Sequence, residues 1–221
     1  MDIVLKVQKD GPWDFYICTE IHQRLNQLGL DSRWFMSIPR CYAFRDGSIF
    51  VSKFQKTSLL DICNLVMQMD KTNVEPIAMY FTIEMLNILE KLHKSQIIHG
   101  DIKPDNFLIQ REIGLNTDAP DAHSMFKDLS PTLEAIDFGI SIDMSLFPKD
   151  QTFDHQFDKV NNRCPEMLQK KSWNYHVSIV YLNYFFLENQ IRITNFISVT
   201  INYDLFFSFH TSSWTILEWQ E

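Results

Sequence analysis

HGDIKPDN, residues 99–106, is the stretch of this sequence that decides the fold. It has the form H-x-D-x-x-x-x-N, and a second motif, Asp137-Phe138-Gly139, follows further along the chain. Short apolar runs at 96–98 and 107–109 flank the first motif, and a third at 133–136 leads into the second. We interpret these runs as small strands that support two polar loops. Ordinary solvated acids are the alternative, but chance does not supply all of these residue types at these spacings.

The two motifs stand in the order, and roughly at the separation, typical of a protein kinase catalytic centre. In phosphoryl transfer the protein mainly positions groups and neutralises charge. On this pattern Asp101 is the predicted catalytic residue that takes or orients the proton of the substrate hydroxyl, and Lys103 meets the negative γ-phosphoryl group. Asn106 and Asp137 are the predicted Mg²⁺ ligands, and they bind the ATP phosphates through the metal.

An amphipathic helix is predicted just before the first motif, starting near Pro76. Its apolar residues recur at steps of three and four: Ile77, Tyr80, Phe81, Met85, Ile88, Leu89 and Leu92. A helix, a catalytic loop between short strands and a metal-binding aspartate at a strand end form the core of a kinase C-lobe. The predicted fold class is therefore α+β, a bilobal protein-kinase-like fold with a partial N-lobe and a mostly helical, truncated C-lobe.

Several segments resemble one kinase family in particular. They are IIHGDIKPDNFLI at 97–109, IDFGISIDMSLFP at 136–148, SWNYH at 172–176, VLKVQK at 4–9 and PWDFYI at 12–17. Together they resemble the Bub kinases of the spindle assembly checkpoint, and the catalytic Bub branch more than the BubR pseudokinase branch, because the base and metal residues are present.

The resemblance implies a serine/threonine kinase that uses ATP and Mg²⁺ to phosphorylate a protein, with a core histone tail as the suggested substrate. It further implies kinetochore and checkpoint proteins as partners. The implied location is the nucleus, at kinetochores or centromeres, and in part the cytoplasm.

The same resemblance assigns an ATP site in the N-terminal part of the chain. Lys6 matches the strand lysine that contacts the α- and β-phosphates, although a solvated strand lysine is the alternative. Asp14 falls where the family has the glutamate that pairs with this lysine, and Glu20 is a second candidate. Lys53 lies in the segment 52–54, where a hinge would present backbone groups to adenine.

Two further positions bear on the activation segment. Gly100 stands where most kinases have an arginine that binds a phosphorylated activation loop, so we expect a loop ordered without phosphorylation. Cys164-Pro165-Glu166 is read as a variant of the A-P-E motif that ends this segment.

The composition argues against several other classes of function. A net charge of −8 does not suit a nucleic-acid-binding surface, which needs a basic patch, whereas a basic histone tail is a plausible electrostatic partner. The four cysteines include no C-x-x-C pair, so neither a zinc site nor a disulfide framework is expected. Apolar runs are too short to span a bilayer, and we predict no direct contact with nucleic acid or membrane.

We predict a partial kinase domain over residues 1–176, divided into an N-lobe remnant (1–56) and a C-lobe core (57–176). No G-x-G-x-x-G occurs, and Met1 falls just before the lysine strand, so a truncated N-lobe is expected. From Val177 to Glu221 the composition changes, with no Gly, Pro, Ala, Met, Cys or Lys. We interpret 177–221 as a non-family tail and residues 177 to about 210 as a translated intron, since the splice donor GTAAGT encodes Val-Ser. A divergent C-lobe is the alternative.

Two other functions remain open from the sequence. A catalytically impaired fragment, or a non-catalytic scaffold or pseudokinase, of the same family is favoured by the missing glycine-rich loop, by Asp14 in place of glutamate and by the broken C-lobe after residue 176. A small-molecule kinase with the same loop is less favoured, because Cys164-Pro165-Glu166 matches a protein kinase motif.

Overall fold

The computed structural model describes residues 3–9, 11–54, 57–66, 68, 74–111, 130–154, 167 and 169–175. All of them belong to the first of two compact units, Met1–Ile191, and the second unit, Arg192–Glu221, lies outside the described residues. The predictions for Cys164-Pro165-Glu166 and for the tail from Val177 also fall outside them.

The N-terminal part is a three-stranded antiparallel sheet with one helix against it. The strands are β1 (Ile3–Gln8), β2 (Arg40–Phe44) and β3 (Gly47–Lys53), in the order β1-β3-β2. Because side chains alternate along a strand, one face of β3 buries Ser48, Phe50 and Ser52. Lys6 is opposite Phe50 in the register and so lies on this inner face.

Helix α1 (Trp13–Gln27) follows β1 after a short connection. Its apolar residues recur at helical spacing, and Ile17, Ile21 and Leu25 are fully buried. The chain then leads through Trp34 and Phe35 to β2.

The remaining part is mostly helical. It contains α2 (Leu59–Val66) and α3 (Val74–Lys94), and the short strands β4 (Ile97–Ile98), β5 (Phe107–Ile109), β6 (Leu133–Ala135) and β7 (Ile142–Asp143). Strand β4 pairs with β7, and β5 pairs with β6, both antiparallel. The predicted amphipathic helix is thus present, and it begins at Val74, slightly before the predicted start.

The two polar loops lie side by side because of this strand pairing. The 99–106 motif connects β4 to β5, and the Asp137 motif connects β6 to β7. A short 3₁₀ helix, Pro104–Asn106, closes the first loop. Two backbone hydrogen bonds, each 2.9 Å long, join the N-terminal part to β6. The Met36 N–H donates to the Ala135 carbonyl, and the Ala135 N–H donates to the Trp34 carbonyl. Among the described residues, no helix is sufficiently long and apolar to cross a membrane.

Candidate active site

Lys6 lies between two carboxylates that come from distant parts of the chain. Its Nζ is 3.0 Å from Asp14 Oδ1 on α1 and 2.8 Å from Asp137 Oδ1 after β6. Strand alternation directs Lys6 to the inner face of the sheet, and Asp14 lies in the first turn of the helix packed there. The structure therefore brings together three of the predicted site residues.

Asp14 occupies the position of the predicted lysine partner, and its surroundings fit that position. It is only 1% exposed, and its carboxylate also accepts hydrogen bonds from Gln8 Nε2 (2.8 Å) and the Phe138 backbone N–H (3.1 Å). Because it is buried, Asp14 can influence a nucleotide only through Lys6. The second candidate, Glu20, pairs with Arg24 at 2.8 Å instead.

The mutual contacts change the pKa values of this cluster. Burial alone would lower the pKa of Lys6, but its hydrogen bond to Asp137 and the charges of both carboxylates raise it above the ordinary value. Burial likewise opposes ionisation of Asp137, yet the hydrogen bond and charge of Lys6 hold the pKa of this carboxyl below its usual value. Lys6 and Asp137 are thus both charged at neutral pH, as phosphate and metal binding require.

Asp137 has an unusual backbone conformation. Its φ is +63°, in the left-handed region that a non-glycine residue adopts only at a cost of about 1–3 kcal/mol. The neighbouring Phe138 compensates for part of this cost: its ring is fully buried, with its centroid 4.8 Å from the ring of His99, and its N–H is bonded to Asp14. The residue after Asp137 is therefore fixed in place, and the Asp137 side chain is directed to Lys6.

The 99–106 loop forms a second cluster around Asp101. Lys103 Nζ lies 2.6 Å from Asp101 Oδ2, and Asn106 Nδ2 donates to the same oxygen (2.9 Å) and to the Asp101 carbonyl (2.8 Å). The hydrogen bond to Asp101 is also the main reason why the pKa of Lys103 is raised. Asp101 Oδ1 accepts no hydrogen bond from the described residues, so this oxygen is available to a further donor.

The buried ring of His99 forms hydrogen bonds to the backbone of both polar loops. Its Nδ1 accepts the Asp101 N–H (3.2 Å), so in the neutral ring Nε2 carries the proton and donates to the Ile136 carbonyl (3.0 Å). Burial lowers the pKa of His99, which keeps the ring neutral. The histidine therefore joins the backbone before Asp137 to the backbone of Asp101.

Asn106 and Asp137 fit a metal that is shared with phosphate. The Asn106 side-chain Nδ2 donates to Asp101, which leaves Oδ1 as the remaining polar atom of this side chain. The backbone carbonyl of Asn106 accepts a hydrogen bond from the N–H of Ile136, next to Asp137, at 3.0 Å. The Asp137 side chain is 46% exposed. In the described part of the chain no group of three or more His, Cys, Asp and Glu forms a metal cage. Mg²⁺ in phosphoryl-transfer sites characteristically uses one or two protein ligands plus phosphate oxygens, so the residues present suit it.

Lys53 is not part of either cluster in the described contacts. It ends β3 opposite Ile3, three residues along the sheet from the Lys6–Phe50 pair, and its side chain is exposed. A hinge acts through its backbone, so its predicted role stays a prediction.

Two features of the site were not found from the sequence. Gln8, which orients Asp14, had a usable signal, because it lies two residues after Lys6 and thus on the same face of β1. The ion pair of Arg24 with Asp143 (2.7 Å) had none, since the two residues are far apart in sequence.

Comparison with known proteins agrees with this geometry. Residues 41–188 match the protein kinase domain. Over 177 residues the chain is 36% identical to the mitotic checkpoint serine/threonine-protein kinase BUB1 of Mus musculus and 35% identical to that of Arabidopsis thaliana. Each alignment covers 79% of this chain, but 16% and 33% of the respective relative. The crystal structure of the BubR1 kinase domain superimposes with a TM-score of 0.64 and 33% identity, covering 81% of this chain and 51% of that one.

The fold and the site define a protein kinase domain, in the predicted α+β class. Within that class the chain belongs to the Bub1-like mitotic checkpoint serine/threonine kinases, which confirms the family resemblance. The chain spans only about a sixth to a third of the length of these curated relatives. The match to the kinase domain ends at residue 188, beyond His176, where the resemblance read from the sequence ends.

Proposed function

We propose that this protein transfers the γ-phosphoryl group of ATP to a serine or threonine hydroxyl of a protein at the kinetochore, as a member of the catalytic Bub branch. The observation that carries this proposal is the position of Lys6, whose ammonium joins Asp14 and Asp137 within 3.0 Å. Kinase activity requires this lysine–acid pair and the metal-binding aspartate to be in place together.

Lys6, Asn106 and Asp137 hold the nucleotide end of the reaction. Lys6 is kept charged by two carboxylates and contacts the α- and β-phosphates. Asn106 Oδ1 and the exposed Asp137 carboxylate would hold Mg²⁺, which when bound would neutralise charge on the phosphates. Lys53 marks the hinge, where the backbone binds adenine.

Asp101 and Lys103 act at the substrate end. Asn106 and Lys103 both donate to Asp101 Oδ2, so Oδ1 is oriented to accept the proton of the substrate hydroxyl. The Lys103 side chain is 40% exposed and its Nζ lies 2.6 Å from Asp101 Oδ2, from which it can also reach the transferred phosphoryl group.

A core histone tail is the proposed substrate. The net charge of −8 favours a basic peptide, and the checkpoint names of the relatives favour kinetochore partners and a nuclear, partly cytoplasmic location.

The test is phosphotransfer by the intact, purified protein from labelled Mg²⁺-ATP to core histones. We expect incorporation on serine or threonine that is abolished in Asp101→Asn and retained in Glu90→Gln, which removes an exposed carboxylate of α3. Nucleotide binding without transfer by the wild-type protein would instead identify the non-catalytic scaffold of the same family. Transfer that persists in Asp101→Asn would show that the catalytic assignment is wrong.

A further inference from the structure

Helix α1 is tied to the segment that follows Asp137 at three places along its length. Near its first turn, Trp13 Nε1 donates to the Ser141 carbonyl at 2.9 Å, and Asp14 accepts the Phe138 N–H at 3.1 Å. Three turns later, Arg24 pairs with Asp143. The helix and this segment therefore form one connected unit, in which the position of Asp14 depends on the other two ties.

The Arg24–Asp143 pair is the strongest of the three. The Arg24 guanidinium donates to both carboxylate oxygens of Asp143, at 2.8 and 2.7 Å, which is the bidentate geometry typical of strong charge-assisted pairs. The Asp143 side chain is fully buried, whereas that of Arg24 is 18% exposed. Tyr16 donates to the same carboxylate at 2.7 Å, and Ser145 donates through its N–H and its hydroxyl at 3.0 and 2.7 Å. The buried charge is thus fully hydrogen-bonded.

Arg24 also reaches beyond this partner. It donates to the Ser95 carbonyl at 2.8 Å, just after the end of α3, and it pairs with Glu20 on its own helix. One side chain thereby joins α1 to the end of α3 and to β7. Since β7 pairs with β4, which leads into the catalytic loop, Arg24 connects α1 with the elements that carry both polar clusters.

We propose that Arg24 and Asp143 are positioning residues for phosphoryl transfer: they hold α1 where Asp14 meets Lys6. This inference rests on the proposed function. Asp14 is one methylene shorter than glutamate, so α1 must approach β1 closely for the carboxylate to lie 3.0 Å from Lys6. A small displacement of the helix therefore breaks the contact. The lysine–acid pair of kinases is sensitive to the position of this helix, so a fixed connection at its far end affects the chemistry.

The experiment is a double-mutant cycle in kcat, using Asp143→Asn, Asp14→Asn and their combination in the intact protein. We expect Asp143→Asn to lower kcat at least tenfold while the Kd of Mg²⁺-ATP changes less than threefold. The kcat of the double variant should be no lower than that of Asp14→Asn alone, because both substitutions remove the same contact between Asp14 and Lys6. Losses of kcat that multiply would overturn the inference, as would full activity of Asp143→Asn.

Glu90→Gln is the matched control. It neutralises the carboxylate of an exposed ion pair with Lys94, also at 2.8 Å, on a helix away from the site. Its kcat should stay within twofold of wild type, and a loss as large as that of Asp143→Asn would overturn the specific role. If Asp143→Asn does not fold, Arg24→Lys replaces it in the cycle, because lysine keeps the charge but cannot make the bidentate contact.

Hydrogen exchange without nucleotide separates this inference from the proposed function. If the wild-type protein transfers no phosphoryl group, the proposed function fails, but the tie between α1 and β7 can still be measured. In Asp143→Asn we expect the backbone amides of α1 to exchange faster than in the wild-type protein, while the exchange rates of the α3 amides stay unchanged. Unchanged protection of α1 would overturn the positioning role even if the wild-type enzyme is active.

Discussion

At the level of single residues, the site is built around two charged groups, each of which contacts two partners. Lys6 is bound by two carboxylates, and Asp101 is bound by the ammonium of Lys103 and the amide of Asn106. These contacts fix orientation as well as charge, so substitutions that keep size and change charge should separate binding from chemistry.

Asp101→Asn should lower kcat by about 10²–10⁴-fold while the Kd of Mg²⁺-ATP stays within about twofold, because the proposed role of this carboxylate is toward the substrate hydroxyl and not the nucleotide. Asp137→Ala should instead weaken Mg²⁺-ATP binding, since it removes a proposed metal ligand. Both effects can be measured by steady-state kinetics and nucleotide titration on the same preparations. An equal loss of ATP affinity in the two variants would contradict this division of roles.

Gly100→Ala should destabilise the protein more than Gly29→Ala. Both glycines have positive φ, +84° and +67°, so both substitutions incur the backbone cost of about 1–2 kcal/mol. At Gly100 the new Cβ would also lie 2.9 Å from the Ile140 carbonyl oxygen, whereas nothing lies within 4 Å at Gly29. Denaturant unfolding of both variants measures the difference, and equal stabilities would show that the approach of Ile140 is unimportant. The same contact explains why an arginine at position 100 does not suit this backbone.

At the level of elements, α3 and the short strands around it carry the catalytic loop. The helix buries one apolar face completely, and its end leads through Ser95 into β4 and His99. Most of the stability of such a helix comes from packing of that face.

Ile88→Ala should lower the free energy of unfolding by about 2–5 kcal/mol, because Ile88 is fully buried and its loss leaves a cavity. Ile83 is the control, since it lies on the same helix but is 36% exposed. Ile83→Ala should lower the free energy of unfolding by well under half as much as Ile88→Ala. Chemical denaturation followed by circular dichroism compares the two variants, and similar losses would mean that α3 is not packed as described.

The link between α1 and β7 should make stability depend on acidic pH. Burial alone would raise the pKa of Asp143, but the hydrogen bonds of Arg24 and its neighbours lower it from 3.8 to about 2. When the pKa of a carboxyl is lower in the folded state than in the unfolded state, its ionisation stabilises the fold. This stabilisation is fully present above the pKa of the unfolded state and is lost as the pH falls through the pKa of the folded state. The difference in Tm between wild type and Asp143→Asn should therefore shrink between about pH 4 and pH 2. A difference that stays constant over this range would contradict the shift.

At the level of the whole molecule, the candidate site exists only where the sheet, α1 and the loops after β4 and β6 meet. Lys6 comes from the sheet, Asp14 from the helix and Asp137 from the loop after β6. Any change that separates these parts should reduce phosphoryl transfer before it unfolds either part.

The composition change at Val177 leads to a prediction about the gene. If residues 177 to about 210 are a translated intron, a spliced transcript should join the codon of His176 directly to downstream coding sequence. Sequencing the message across this codon decides between the intron and a divergent C-lobe. A single continuous transcript that encodes residues 177–221 in all messages would contradict the intron.

The sequence by itself determined the kinase class and the family resemblance. It predicted Asp101, Lys103 and Asn106 as one cluster, because they are local and their spacing is set by one short loop. It also predicted α3, since an apolar face repeats along the helix. Only the tertiary structure decided that Asp14 rather than Glu20 pairs with Lys6. That choice depends on how closely α1 approaches β1, which no spacing along the chain encodes. The Arg24–Asp143 pair likewise became visible only in three dimensions, because folding alone brings these two distant residues together.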